Sequence, residues 1–154
     1  MLLILAAFAL EVLARPPLAG FVAGYEVAKN GNYIQEQVPA GETVEKWTRM
    51  VTTQRFAGVA RETDANGFLQ LMIDGLAEGC PGATLVYRRV SGKTAQMRVD
   101  CPLNPKTRLP ETFFAKALAG SSDMQVAQVA FRSLPKASDV AWAEKYLGSV
   151  VLKP

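Results

Sequence analysis

Residues 21–28, FVAGYEVA, and 32–39, NYIQEQVP, are strand-like runs whose apolar and polar side chains sort onto two faces once they are paired. Between them stands Asn30-Gly31, a pair that accepts positive φ and predicts a tight hairpin. In that register Val27 faces Ile34 and Ala23 faces Val38, while Glu26, Gln35 and Gln37 fall on the other side. One face should be buried and one wet, as in an antiparallel sheet covered on a single side. Pro39-Ala40-Gly41 ends the second run, ETVEKW (42–47) fits a single helical turn, and TRMVTTQRF (48–56) reads as a strand rich in Thr, Val and Phe.

The period changes over 64–79, where Phe68, Leu69, Met72, Ile73 and Leu76 form a helical stripe. Thr63 or Asp64 can cap its start and Gly79 stops it. ATLVYRRV (83–90) and TAQMRVDC (94–101) then predict a hairpin around Ser91-Gly92-Lys93. Pairing Val90 with Thr94 puts Arg88 and Arg98 together on a wet face with Gln96 and Asp100. Residues 100–112 carry Pro102, Pro105 and Pro110 and must cross as a loop. TFFAKALA (112–119) and MQVAQVAFR (124–132) read as two more strands, and Ser138 can cap a helix from Asp139 to Leu147 ended by Gly148. The order ββ(β)–α–ββ–ββ–α predicts a single α+β domain over 15–154, with a mainly antiparallel sheet of six to seven strands and two main helices.

The chain opens on LLILAAFAL (2–10), an apolar run about half as long as the ~20 residues a membrane-spanning helix needs. It fits the hydrophobic region of a signal peptide over 1–14, with Val12-Leu13-Ala14 as a cleavage site and Arg15-Pro16-Pro17 opening the mature chain. No Lys or Arg precedes the run, and Glu11 sits beside the cut. The other readings are a buried helix stopped by Pro16-Pro17 and an uncleaved inner-membrane anchor. Cys80 and Cys101 are the only two cysteines, and an oxidising compartment would tend to join them. Cys101 ends its strand beside Ala83, three residues from Cys80, so the ~7 Å limit on Cα separation can be met. A bridge closing this loop stabilises by roughly 3 kcal/mol in the chain-entropy model. Two buried free thiols or a redox pair are the alternatives, though no C-x-x-C is present. Export to the periplasm or secretion is therefore expected.

Composition chiefly excludes. There are no histidines, so Ser-His-Asp and Cys-His systems and histidine metal sites are closed to this chain. No cofactor or metal is expected, since neither G-x-x-x-x-G-K-[ST] nor G-x-G-x-x-G occurs. The net charge of +3 is scattered and the basic residues are not interleaved with aromatics, which argues against nucleic acid. At 49% apolar and 20% charged residues, a packed core is feasible.

Two constellations remain. Trp47, Glu45 and Arg49 could line a groove, against the plainer reading of Trp47 as a core anchor. Arg88 and Arg98 could hold an anion, against a solvated face on which Asp100 balances Arg98. The carboxylate pairs Glu42/Glu45 and Asp139/Glu144 lack an apolar pocket to split their pKa values. Ser133-Leu134-Pro135-Lys136 matches S-x-x-K, but Pro135 turns Leu134 away from helical geometry.

The segment YIQEQVPAGETVEKWTRMVTTQRF (33–56) resembles a signature of a family of small, uncharacterised exported proteobacterial proteins. That signature is E-x-V-P-x-G-E-T-x-E followed by W-T-x-M-x-T. The similarity extends to Cys80-Pro81-Gly82 and to the closing Tyr146-Leu147-Gly148-Ser149-Val150. The order of elements also resembles the PsbP-like α/β/α sandwich. These resemblances imply a non-catalytic accessory or binding role in the cell envelope, with an envelope protein or a small ligand as partner. An enzyme using carboxylates or Arg, and an envelope assembly factor attached by its N-terminal segment, are the alternatives.

Overall fold

The computed structural model describes residues 11–154. Its elements are β1 (Val12–Ala14), β2 (Phe21–Lys29), β3 (Asn32–Pro39), β4 (Arg49–Phe56), α1 (Ala65–Gly79), β5 (Thr84–Ser91), β6 (Thr94–Cys101), β7 (Glu111–Ala119), β8 (Met124–Phe131), α2 (Ala137–Gly148) and β9 (Val151–Lys153). Seven strands form one sheet in the order β2-β3-β4-β8-β7-β6-β5, antiparallel throughout, and β1 pairs with β9 in a second small sheet. The domain is α+β, as the periodicity predicts.

Side-chain alternation sorts the large sheet into two faces. Met97, Ala115, Ala117 and Val126 pack against Leu69 of α1, together with half-buried Phe68, Met72 and Leu76. Phe114, Leu118, Ala127, Val129 and Phe131 pack against Ala143, Tyr146 and Leu147 of α2. The two helices thus cover opposite faces, because β7 and β8 carry apolar side chains on both faces and cannot leave either side wet. This sheet between helices is the arrangement that the PsbP-like resemblance implies.

Local signals act as expected. Asn30 (φ 53°) and Gly31 (φ 80°) make the first hairpin turn. The Asp64 carboxylate accepts from Gly67 N at 2.7 Å and caps α1. Cys80 and Cys101 form a disulfide with their Cα atoms 6.0 Å apart, tying the end of α1 to the end of β6.

Several expectations need correction. Residues 42–47 make turns and bends rather than a helical turn. Val38 faces Val22, not Ala23, because a bulge falls between Ala23 and Tyr25. Gly24 sits there because the 40–48 loop passes close by: a Cβ on it would lie 2.8 Å from Val44 Cγ1. The start of α2 is capped at Lys136, whose backbone N donates to the Asp139 carboxylate at 3.2 Å, not at Ser138. The apolar run 2–10 lies outside the described residues. Val12–Ala14, expected to end a cleavable segment, pair with Val151–Lys153, and Leu13 packs on the α2-side core.

Candidate functional site

The five residues singled out by sequence do not converge. Trp47 is half-buried under the Arg132 guanidinium, whose carbon lies 4.2 Å from the ring centroid, and an Arg132 Nη1–H donates to Glu45 O at 2.9 Å. The Glu45 side chain is exposed. Arg132 in turn lies 3.6 Å from the buried Glu111 carboxylate, which accepts from Asn104 Nδ2 at 2.9 Å. Trp47 therefore anchors a loop rather than lining a groove with Glu45 and Arg49. Arg49 lies on the α2 face, 4.8 Å from the Trp142 ring centroid and 3.6 Å from the Asp139 carboxylate.

Arg88 and Arg98 sit on opposite faces. The hairpin turn is one residue tighter than expected, with Ser91 opposite Thr94, and a bulge falls between Leu85 and Tyr87. Arg88 therefore faces Met97 on the α1 side and donates to Asn66 Oδ1 and Gln70 Oε1 of the helix. Arg98 faces Tyr87 on the α2 side and is held by Asp100 through two hydrogen bonds of 2.8 and 2.9 Å. The carboxylate pairs are engaged as well. Glu42 accepts from Thr48 N and Oγ1, both at 2.7 Å, while Asp139 and Glu144 pair with Arg49 and Arg89. Lys136 of the S-x-x-K match serves the start of α2.

A different surface stands out on the α1 side. α1 lies over β5, β6 and β7 and makes no comparable contact with the opposite half of the sheet. There the edge strand β2 presents Val22, Tyr25 and Val27, which are 45%, 46% and 40% exposed. Their cross-strand neighbours are Val38, Glu36 and Ile34, so the row is apolar except at its middle. Among the described residues the Glu36 carboxylate has neither a hydrogen bond nor an ion pair, and partial burial raises its pKa above the usual carboxylate value. β2 pairs with β3 alone, so its outer backbone edge is open. The Asn30-Gly31 hairpin within 21–39 signals this pair of strands. Sequence reasoning missed its exposure because nothing local tells how far α1 extends over the sheet.

The sequence matches no family model. It matches no curated protein either. Among solved structures it is similar to the Saccharomyces cerevisiae Ran-binding protein Mog1p, with a TM-score of 0.62, 11% identity, and 92% of this chain and 93% of that one covered. It is also similar to a mutant of protein Mog1, with a TM-score of 0.55, 12% identity, and 90% and 85% covered. At such identities the likeness shows the fold. Both neighbours are Mog1 structures, and neither bears on the exported family expected from residues 33–56.

Proposed function

We propose that this chain is an exported, non-catalytic binding module that docks a protein of the cell envelope through the α1-side face of β2. The observation that carries this reading is the exposed row Val22, Tyr25 and Val27 around a partly desolvated, unpaired Glu36. A charge held among apolar neighbours without a partner costs stability, and a docking protein that supplies a cation removes that cost. The partner is therefore an apolar surface bearing a Lys or Arg. Kinship of fold with a Ran-binding protein supports a protein as partner without specifying which.

Export is supported by the Cys80–Cys101 disulfide and by the resemblance of 33–56 to an exported family. The proposal takes 1–10 rather than 1–14 as the export segment, because Val12–Ala14 form a strand of the fold. Gentle extraction of the native envelope followed by size-exclusion chromatography tests it. The wild-type chain, oxidised at both cysteines, should elute in an assembly well above its own 16.6 kDa. Glu36→Lys should elute at the size of the free chain while keeping its thermal transition. Free-chain elution of the wild type, or recovery only as a dithiol in the cytosolic fraction, would overturn the reading.

A further inference from the structure

On the other face of the sheet, a cavity of about 300 Å³ opens between the N-terminal strand and β3–β4. Its walls include Val12 and Leu13, and its polar groups come from Arg15, Tyr33, Thr53, Arg55 and Gln125. Topology gathers them. Tyr33 and Arg55 are directly opposed across β3 and β4, Thr53 follows two residues along the same face, and β1 carries Arg15 over them. No ion pair among the described residues reaches these two arginines: no carboxylate lies within 4 Å of either guanidinium. Arg15 donates to the neutral amides of Gln35 and Gln37 and lies beside the Tyr146 hydroxyl, and Arg55 Nε–H donates to Gly31 O.

The two carboxylates beside the cavity are each held by a neutral donor. Glu11, its one lining carboxylate, accepts from Ser121 N at 2.9 Å. Glu26, nearby, accepts from the Tyr33 hydroxyl at 2.7 Å. Gln125 Nε2 donates to Glu11 O at 3.0 Å and so fixes that wall. Thr53 is only 3% exposed, and its Oγ1 is buried without a hydrogen-bond partner. A buried hydroxyl left unpaired is costly, and such a group in a cavity wall points to something that binds there.

We infer that this cavity is a binding site for a small oxyanion, a carboxylate or a phosphate on a short apolar body. The two guanidiniums supply charge and forked donors, the Thr53 hydroxyl supplies a buried donor, and Val12 and Leu13 shape the apolar end. The volume stands at the small end of ligand pockets, which limits the occupant to a metabolite-sized molecule. The site is independent of the β2 docking face, since the two lie on opposite sides of the sheet.

Titration of the purified, oxidised chain with inorganic phosphate and, separately, with succinate tests it, followed by NMR of the arginine Nε–H and backbone amide signals. Saturable shifts at Arg15, Arg55 and Thr53 with either probe are expected, and which probe saturates identifies the oxyanion. Arg55→Gln should weaken binding at least tenfold, whereas Arg61→Gln, at the exposed end of the short 3-10 helix Val59–Arg61, should not. Thr53→Val should also weaken binding while leaving the thermal transition at or above that of wild type, because it removes an unpaired hydroxyl. Shifts that do not saturate with either probe, or that are unaffected by Arg55→Gln and Thr53→Val, would overturn the assignment.

Discussion

Glu36 and Arg132 show how differently two charged residues can sit in this fold. Arg132 has partners on three sides: it stacks on Trp47, holds the Glu45 carbonyl and faces buried Glu111 at 3.6 Å. Removing it leaves a carboxylate buried without its cation. Arg132→Ala should therefore cost about 3 kcal/mol in chemical denaturation, with the 102–110 loop gaining amide exchange first. Glu36 lacks any such partner, and burial raises its pKa. A carboxyl whose folded pKa is raised contributes stability below its unfolded pKa and loses it as pH rises through the folded value. Glu36→Gln should accordingly raise the melting temperature at pH 7, and the gain should vanish near pH 3. A gain that persists at low pH would show that desolvation of the charge is not the cause.

At the scale of elements, the disulfide and β1 are the two features that close the fold at its margins. Cys80 and Cys101 are 21 residues apart, so replacing both with Ala should cost about 3 kcal/mol. Lys116 crosses from β7 to the end of α2, where its Nζ donates to Leu147 O at 3.1 Å and Val150 O at 2.8 Å. Leu147 O is one of the last carbonyls of the helix, which need donors, and Val150 O lies just beyond its end. Lys116→Met should detach that end and loosen β9 with it, seen as faster amide exchange over 148–153.

Much of this level was legible in the sequence. Asn30-Gly31, the stripe from Phe68 to Leu76 and the Cys80/Cys101 spacing each state their structure locally. The register of β5–β6 was not legible, because a tighter turn and a bulge at Val86 cannot be told from a three-residue loop by alternation alone. That single slip placed Arg88 on the wrong face. β1 and β9 were equally hidden, since two three-residue strands at opposite ends of the chain leave no periodic trace.

For the molecule as a whole, the sandwich assigns each face of the sheet a different task. Toward the sheet centre both sides are buried under helices, and this is the part that composition and periodicity describe well. Toward β2 and β3 the helices give out, leaving an apolar row on one side and an arginine-walled cavity on the other. Tyr33 and Arg55 are 22 residues apart in sequence and meet only through strand pairing, and Arg15 joins them only through β1. No motif could carry that convergence, which is why the candidate residues read from the sequence were those close together in the chain.

The docking claim is tested most directly by placing a photo-cross-linking residue at position 27 and, in a separate protein, at position 26. The two are neighbours on β2 but point to opposite faces, Val27 beside Ile34 and Glu26 beside Gln35. Illumination in intact cells should yield one discrete adduct from position 27, lost when Glu36→Lys is added, and none from position 26. Equal adducts from both positions, or an adduct from 27 that survives Glu36→Lys, would contradict the account.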